Sequence, residues 1–203
     1  TESDNQALLE LQKKCPMGTS IVFLADSSPD YFGRSRPYDD WKVFVATEDG
    51  RIVGSAGYAA RDTVINRQAC RAAYEYGFMV DPAYRRRGIA TQLQKTVERD
   101  LAQKKVDLLH ILVVEDNIPS LSLFSRMDFK RAKDVVIMSL MVYKKSRFGG
   151  NVRTTEKDDC EKVAALINEA YQGYDFFSPF DKKSIQRYLE KMQGFSLENV
   201  YLF

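Results

Sequence analysis

Residues 72–114 hold an extended run, a glycine turn, an amphipathic stretch and a second extended run. This order restricts the fold more than any other feature of the chain. Ala72 to Val80 carries three aromatics and reads as a strand, with Gly77 as a candidate bulge. Asp81-Pro82-Ala83-Tyr84 ends it, and Arg85-Arg86-Arg87-Gly88 follows. From there Ile89, Ala90, Leu93, Val97 and Leu101 recur every three or four residues, the spacing of one buried helical stripe. Lys104-Lys105 closes that helix with the charge its C-terminus favours. Leu108 to Val114 is nearly all apolar, as in a strand covered on both faces. A strand, a helix and a second strand in this order predict a parallel crossover, and hence an α/β sheet.

The turn in the middle has chemical content of its own. A strand delivers the chain to a glycine that opens a helix, so several unpaired backbone N–H groups converge with the positive helix end behind them. That arrangement predicts an anion site. Gly88 and Ala90 leave room for a phosphate, the arginines supply charge and fork-shaped donors, and Thr91 adds a hydroxyl. A nucleotide P-loop is disfavoured, because no Lys-Ser/Thr pair follows Gly88.

The remaining pattern divides the chain in two. Leu8, Leu9 and Leu11 predict a helix over 4–14, stopped by Pro16, and Ile21 to Ala25 predicts a short buried strand. Asp26 to Asp40 is a long polar loop with aromatics. Trp41–Ala46 and Ile52–Ile65 read as strands joined at Glu48-Asp49-Gly50, and Asn66-Arg67-Gln68 as a further tight turn. A short helix over about 118–127 and strands over Phe129–Ala132 and Val135–Tyr143 complete a first domain, residues 1–146. Lys144 to Asn151, charged and then Gly-Gly, reads as a linker. Residues 147–203 add a strand over 152–154, helices over about 158–171 and 182–192, and a strand beginning at Val200.

Composition removes several classes. Thirty Lys and Arg against 28 Asp and Glu give a net charge of +2, which is no general attraction for nucleic acid or an anionic membrane. No run of about 18 apolar residues exists, and the first residues lack the apolar core of a leader. Three widely spaced cysteines without a CxxC exclude a disulfide scaffold and a thiolate zinc site, and fit a cytoplasmic location. With one histidine, a histidine metal site is not expected. That residue, His110, sits in an apolar run and reads as a core or cleft-wall histidine.

The turn resembles the pyrophosphate loop of the GNAT family, the Gcn5-related N-acetyltransferases. The family pattern Arg/Gln-x-x-Gly-x-Gly/Ala is filled by Arg85, Gly88 and Ala90. A second motif, Asn117-x-x-Ser120-x-x-Leu123-Phe124-x-x-Met127-Asp128-Phe129, is similar to the family's Asn-x-x-Ala-x-x-Leu-Tyr-x-x-x-Gly-Phe. Two positions depart from it. Phe124 stands where the family often has the tyrosine that protonates the leaving thiolate, and Asp128 stands where it has glycine.

The resemblance implies a mixed twisted sheet with helices on both faces. It also implies direct transfer from acetyl-CoA to a primary amine, carried by a small molecule or a peptide, in a ternary complex. Acetyl-CoA would lie between two splayed strands. Phe78, Met79 and Val80 would pair with the pantetheine arm and polarise the thioester; Arg85, Arg86, Arg87, Gly88, Ile89, Ala90 and Thr91 would hold the pyrophosphate. Asn117, Ser120 and Phe124 would complete the donor site. Residues 147–203 look like a linker and the start of a second domain of the same kind. An amine near pKa 10 must lose a proton before it attacks, so a carboxylate base is expected. Glu75 is the first choice and Glu115 the second, although the alternation Tyr74-Glu75-Tyr76 leaves the face of Glu75 open. Glu115 and Asp116 also suit a helix start. The competing reading is a non-catalytic acyl-CoA-binding module, which Phe124 favours.

Overall fold

The structure is a computed structural model and describes residues 1–136, 138, 141 and 150–203. Four strands form one sheet in chain order: β1 (Asp40–Glu48), β2 (Arg51–Ile65), β3 (Gln68–Val80) and β4 (Leu108–Ile111). β1, β2 and β3 are antiparallel, and β4 joins β3 in parallel after the helix α2 (Ile89–Gln103). The predicted crossover and mixed α/β architecture are therefore present. Both hairpin turns use left-handed residues, Asp49–Gly50 and Asn66–Arg67, whose positive φ matches the strand twist.

Helices cover both faces. α2 buries Leu93, Val97 and Leu101 against Ala56, Tyr58, Ala60 and Ala73. On the other face α1 (Asn5–Lys13) and the loop after it bury Leu8, Leu9, Tyr31 and Phe32 against Trp41, Val43, Ile52 and Met79. Tyr58 is fully buried, and its hydroxyl donates to Asp100 of α2, which also binds Lys42 of β1. Burying a phenol and a charge is tolerable when each finds a partner.

Three expected strands differ. Residues 21–25 form no buried strand; Phe23 pairs only with Met17, across a turn at Gly18, and Ile21, Val22 and Leu24 stay exposed. An extended segment with a single bridge has no sheet edge to bury it. Phe129–Ala132 is not a strand either, since Lys130, Arg131, Lys133 and Asp134 favour solvent, and Arg131 pairs with Asp134 at 2.6 Å. The expected strand Leu108–Val114 stops at Ile111, and without a further strand beside it among the described residues Leu108 and Leu112 are exposed. Most of the expected strand Val135–Tyr143 and of the linker Lys144–Asn151 lies outside the described residues.

The C-terminal residues form a small unit. β5 (Arg153–Thr154) pairs antiparallel with β6 (Tyr201–Leu202), and α4 (Cys160–Ala170) packs on α5 (Lys182–Lys191) through Cys160, Val163, Ala164, Ile185 and Leu189. The loop between these helices is laced to the β2–β3 hairpin. Phe176 N–H donates to Val64 O at 2.9 Å, Thr63 Oγ1 to Phe177 O at 3.0 Å, and Asn66 N–H to Asp175 Oδ1 at 2.7 Å.

Candidate active site

β3 and β4 part company along their length. Pairing runs from Ala72–Leu108 to Glu75–Ile111 and ends there, while β3 continues to Val80. Beyond Glu75 that edge of β3 has no strand beside it among the described residues, which leaves a fork. Just past the fork Gly77 and Phe78 lie opposite the single residue Ala56, a bulge that Gly77 permits with φ +60°. A side chain there would be crowded: a Cβ would stand 2.6 Å from Tyr31 Oη. Ser55 Oγ donates to Gly77 O at 2.7 Å and fixes the kink. Asp81 N–H bonds back to Val53 O, so Val80 before it turns its N–H and carbonyl to the open edge. Its carbonyl accepts from Arg85 Nε at 3.1 Å.

The turn after β3 is braced at its start. Asp81 Oδ1 accepts from Ala83 N–H at 3.0 Å and Oδ2 from Lys14 Nζ at 3.0 Å, and Lys14 holds this carboxylate below its ordinary range. Gly88 has φ +81° and no side-chain cap, and the first helical bond of α2 runs from Gln92 N–H to Gly88 O at 3.0 Å. The N–H groups of Ile89, Ala90 and Thr91 are thus left without helical acceptors. No atom lies within 4 Å of where a Cβ on Gly88 would be. The arginines divide their work. Arg85 holds Val80 O, and Arg87 binds Glu48 at 3.1 Å and lies over the Tyr84 ring. Arg86 is exposed at φ +66° and has no hydrogen bond or ion pair among the described residues.

Past β4, Asn117 caps α3 (Ile118–Arg126), its side chain accepting from Ser120 N–H at 3.4 Å. Phe124 is buried with its ring 5.1 Å from Phe78 and 5.1 Å from Phe129. This packing joins α3 to β3 just past the fork. Asp128 takes φ +61°, the left-handed conformation for which glycine is cheaper by about 1 kcal/mol.

The carboxylates do not converge on the fork. Glu75 is fully buried on the α2 face, opposite Tyr58 in the sheet register. Neither of its oxygens has a well-directed hydrogen bond, and Gln94 spends its amide nitrogen on Glu98 at 3.0 Å. Burial pushes Glu75 up to about 8, opposed by the Gln94 amide and helped by the Glu98 charge. Glu115 is exposed and 3.9 Å from Arg131. Asp116 accepts from Thr19 N–H at 2.8 Å, Thr19 Oγ1 at 2.9 Å and Ser20 N–H at 2.6 Å, and these donors hold it at about 2. It ties the 17–23 turn to the loop after β4. Asp116→Ala is expected to raise amide exchange at Thr19 and Ser20 by at least about tenfold, read by NMR, while exchange within β2 stays unchanged.

On the opposite face sits a cluster that sequence reasoning did not assemble. Tyr74 lies beside its strand partner His110, ring centroids 5.3 Å apart, and 6.0 Å from Tyr76. Phe176 closes over His110 at 4.7 Å. Tyr76 is buried, its hydroxyl 2.5 Å from Ser35 Oγ, and burial pushes its phenol up to about 12. Burial, then the Arg61 charge, lowers His110 below its ordinary value, so its imidazole is neutral at pH 7. Arg34 lies over both tyrosine rings. The signal available in advance was the alternation itself, which sets Tyr74 and Tyr76 together and Glu75 apart.

With this geometry in place, comparison with known proteins fixes the class. The acetyltransferase (GNAT) family model matches residues 5–129. The chain belongs to this family, whose general chemistry is acetyl transfer. Among solved structures, a transcriptional regulator from Bacillus halodurans C-125 aligns over 69 % of this chain and 95 % of its own at 17 % identity and a TM-score of 0.57. A protein from Agrobacterium tumefaciens strain C58, assigned as an acetyltransferase, aligns over 69 % and 96 % at 17 % identity and a TM-score of 0.54. Aminoglycoside N-acetyltransferase AAC(6')-Iy, in complex with CoA, aligns over 51 % and 78 % at 24 % identity and a TM-score of 0.45. No curated protein matches in sequence. Among the described residues no helix is long and apolar enough to cross a membrane, and no group of three His, Cys, Asp or Glu could hold a metal ion.

Proposed function

We propose that this chain binds acetyl-CoA in the fork between β3 and β4 and transfers the acetyl group directly to a primary amine. The observation that carries the reading is one continuous path. The free edge of β3 past Glu75 leads into the open, glycine-capped N-terminus of α2, which suits an extended amide-bearing arm followed by a pyrophosphate. Phe78, Met79 and Val80 would meet the arm. Arg86 and the N–H groups of Ile89, Ala90 and Thr91 would meet the pyrophosphate. Arg85 and Arg87 would act from behind, by shaping the turn. Asn117, Ser120 and Phe124 would border the donor site on the α3 side.

In the transfer, the amine nitrogen attacks the thioester carbon, a C–N bond forms, the C–S bond breaks and the amine loses a proton. A backbone N–H at the bulged edge would face the developing oxyanion. With a thiol pKa near 8.5 the thiolate can leave without a protein acid, consistent with Phe124 in place of a tyrosine. Sealed under α2, Glu75 is a poor candidate for touching the amine, and Glu115 points to solvent; water is the proton acceptor in this reading. The free cysteines suit a cytoplasmic location, and residues 150–203 suit the start of a second domain.

Among the described residues no accessible carboxylate stands on the open side of the fork, which favours one competing reading, an acyl-CoA-binding module without turnover. Calorimetry with acetyl-CoA, paired with amine-dependent thiol release, separates the two. Micromolar binding with release supports transfer, binding with no release from any amine supports the module, and no binding by folded protein overturns both.

A further inference from the structure

We infer that Arg34 is the anchor for a carboxylate on the acceptor, so that the amines this chain acetylates carry a carboxylate, as amino acids and peptides do; this deepens the transferase reading and rests on it. The guanidinium of Arg34 lies 5.1 Å from the Tyr74 ring centroid and 4.8 Å from that of Tyr76, and its Nη2 donates to Tyr74 Oη at 2.9 Å. It is exposed, and no carboxylate pairs with it among the described residues. Its neighbours are treated differently. Arg36 is bound to Asp30 at 2.6 Å and to Glu2 at 3.1 Å, Arg71 to Asp40 and Asp62, and Arg187 to Asp39. Arg34 instead has its plane set by two aromatic faces and keeps most of its donors free, a fork held ready for a planar anion.

Arg34 also stands at the fork. Tyr74 is the partner of His110 one step before β3 and β4 separate, and Tyr76 is the first residue of β3 past the fork. An amine approaching a thioester laid along the free edge from this face passes these rings. The charges on this face point the same way. Arg34 lies over Tyr76, and the Arg61 charge acts on His110. Glu75 is on the far face, Asp62 is paired with Arg71, and Asp175 accepts from Asn66. Such a field disfavours an ammonium ion and so helps an amine lose its proton, which matters where no accessible carboxylate stands among the described residues. It also repels a purely cationic substrate. A carboxylate on the acceptor restores the attraction and takes the open donors of Arg34.

The test uses the whole chain, acetyl-CoA and matched amines: alanine and alaninamide, phenylalanine and phenylalaninamide, and alanyl-alanine and its amide. Spermidine serves as the cationic control. Thiol release gives kcat/KM for each. The carboxylates are expected to exceed their amides by at least about tenfold, with spermidine lowest. Arg34→Ala should collapse that ratio to near one, and Arg34→Lys should leave part of it, with thermal melts confirming the fold. The amino acids against the dipeptide show which distance from amine to carboxylate the site prefers. Amides or spermidine used as well as the carboxylates, a ratio unmoved by Arg34→Ala, or no acetylation of any carboxylate by a protein that binds acetyl-CoA would overturn the inference and leave the donor site standing. Loss of acetyl-CoA binding itself, in the parent protein, would remove both.

Discussion

Gly88→Asp is expected to weaken acetyl-CoA binding by at least about 100-fold in a calorimetric titration, with the protein still folded. Gly88 stands at φ +81° with no atom within 4 Å of where a Cβ would stand, so an aspartate would meet no clash. The backbone strain of a non-glycine residue there is about 1–2 kcal/mol, and aspartate is among the residues that bear it best. The damage is electrostatic: its carboxylate would set a negative charge beside the open N–H groups at the start of α2, where the pyrophosphate must lie. Gly88→Ala keeps the strain and omits the charge, so it should cost only a few-fold. Equal losses in the two variants would show that turn geometry matters and the anion site does not. Full binding by the aspartate variant would place the pyrophosphate elsewhere.

Glu75→Gln is expected to stabilise the protein, increasingly as pH rises. The buried carboxyl has a folded value of about 8 against an ordinary 4.5, so the native state keeps a proton that the unfolded chain releases. Between those values every pH unit costs the native state about 1.4 kcal/mol, and at pH 7 the deficit is about 3 kcal/mol. It is absent below about pH 4.5 and complete above about pH 8. Glutamine removes the titration, and its amide can donate to the unpaired Oε1 of Gln94. Urea titrations of both proteins from pH 5 to pH 8 should therefore diverge, the variant gaining with pH. Parallel curves would mean that Glu75 is ionised and solvated in the native state, and would return it to the list of possible bases.

The crossover around α2 was legible because its signal is redundant. The hydrophobic period changes from two to about 3.6 at Gly88, the turn carries its own glycine, and the next apolar run is too short for anything but a strand. Both hairpins announced themselves through Asp49-Gly50 and Asn66-Arg67. The face of Glu75 was not legible, since aromatic cores lie on both sides of β3 and an isolated acid can be buried in either. The apolar character of Ile21–Leu24 misled, because composition reports a preference for burial and not whether an edge is at hand. The stacking of Arg34 on Tyr74 and Tyr76 and the docking of residues 175–178 were not legible for a related reason. Ring stacking and bonds to loop carbonyls depend on distant segments meeting, and no periodicity records that.

The bulge at Gly77 acts as a phase change in the strand. Before it, odd-numbered side chains such as Ala73 and Glu75 look toward α2; after it the even-numbered Phe78 and Val80 do, while Met79 looks toward α1. Deleting Gly77 would restore a regular alternation and leave Phe78, Met79 and Val80 on the faces they hold now; what it would remove is the kink beside the fork. The irregularity absorbs one extra residue without moving either core, and it sits where the neighbouring strand departs.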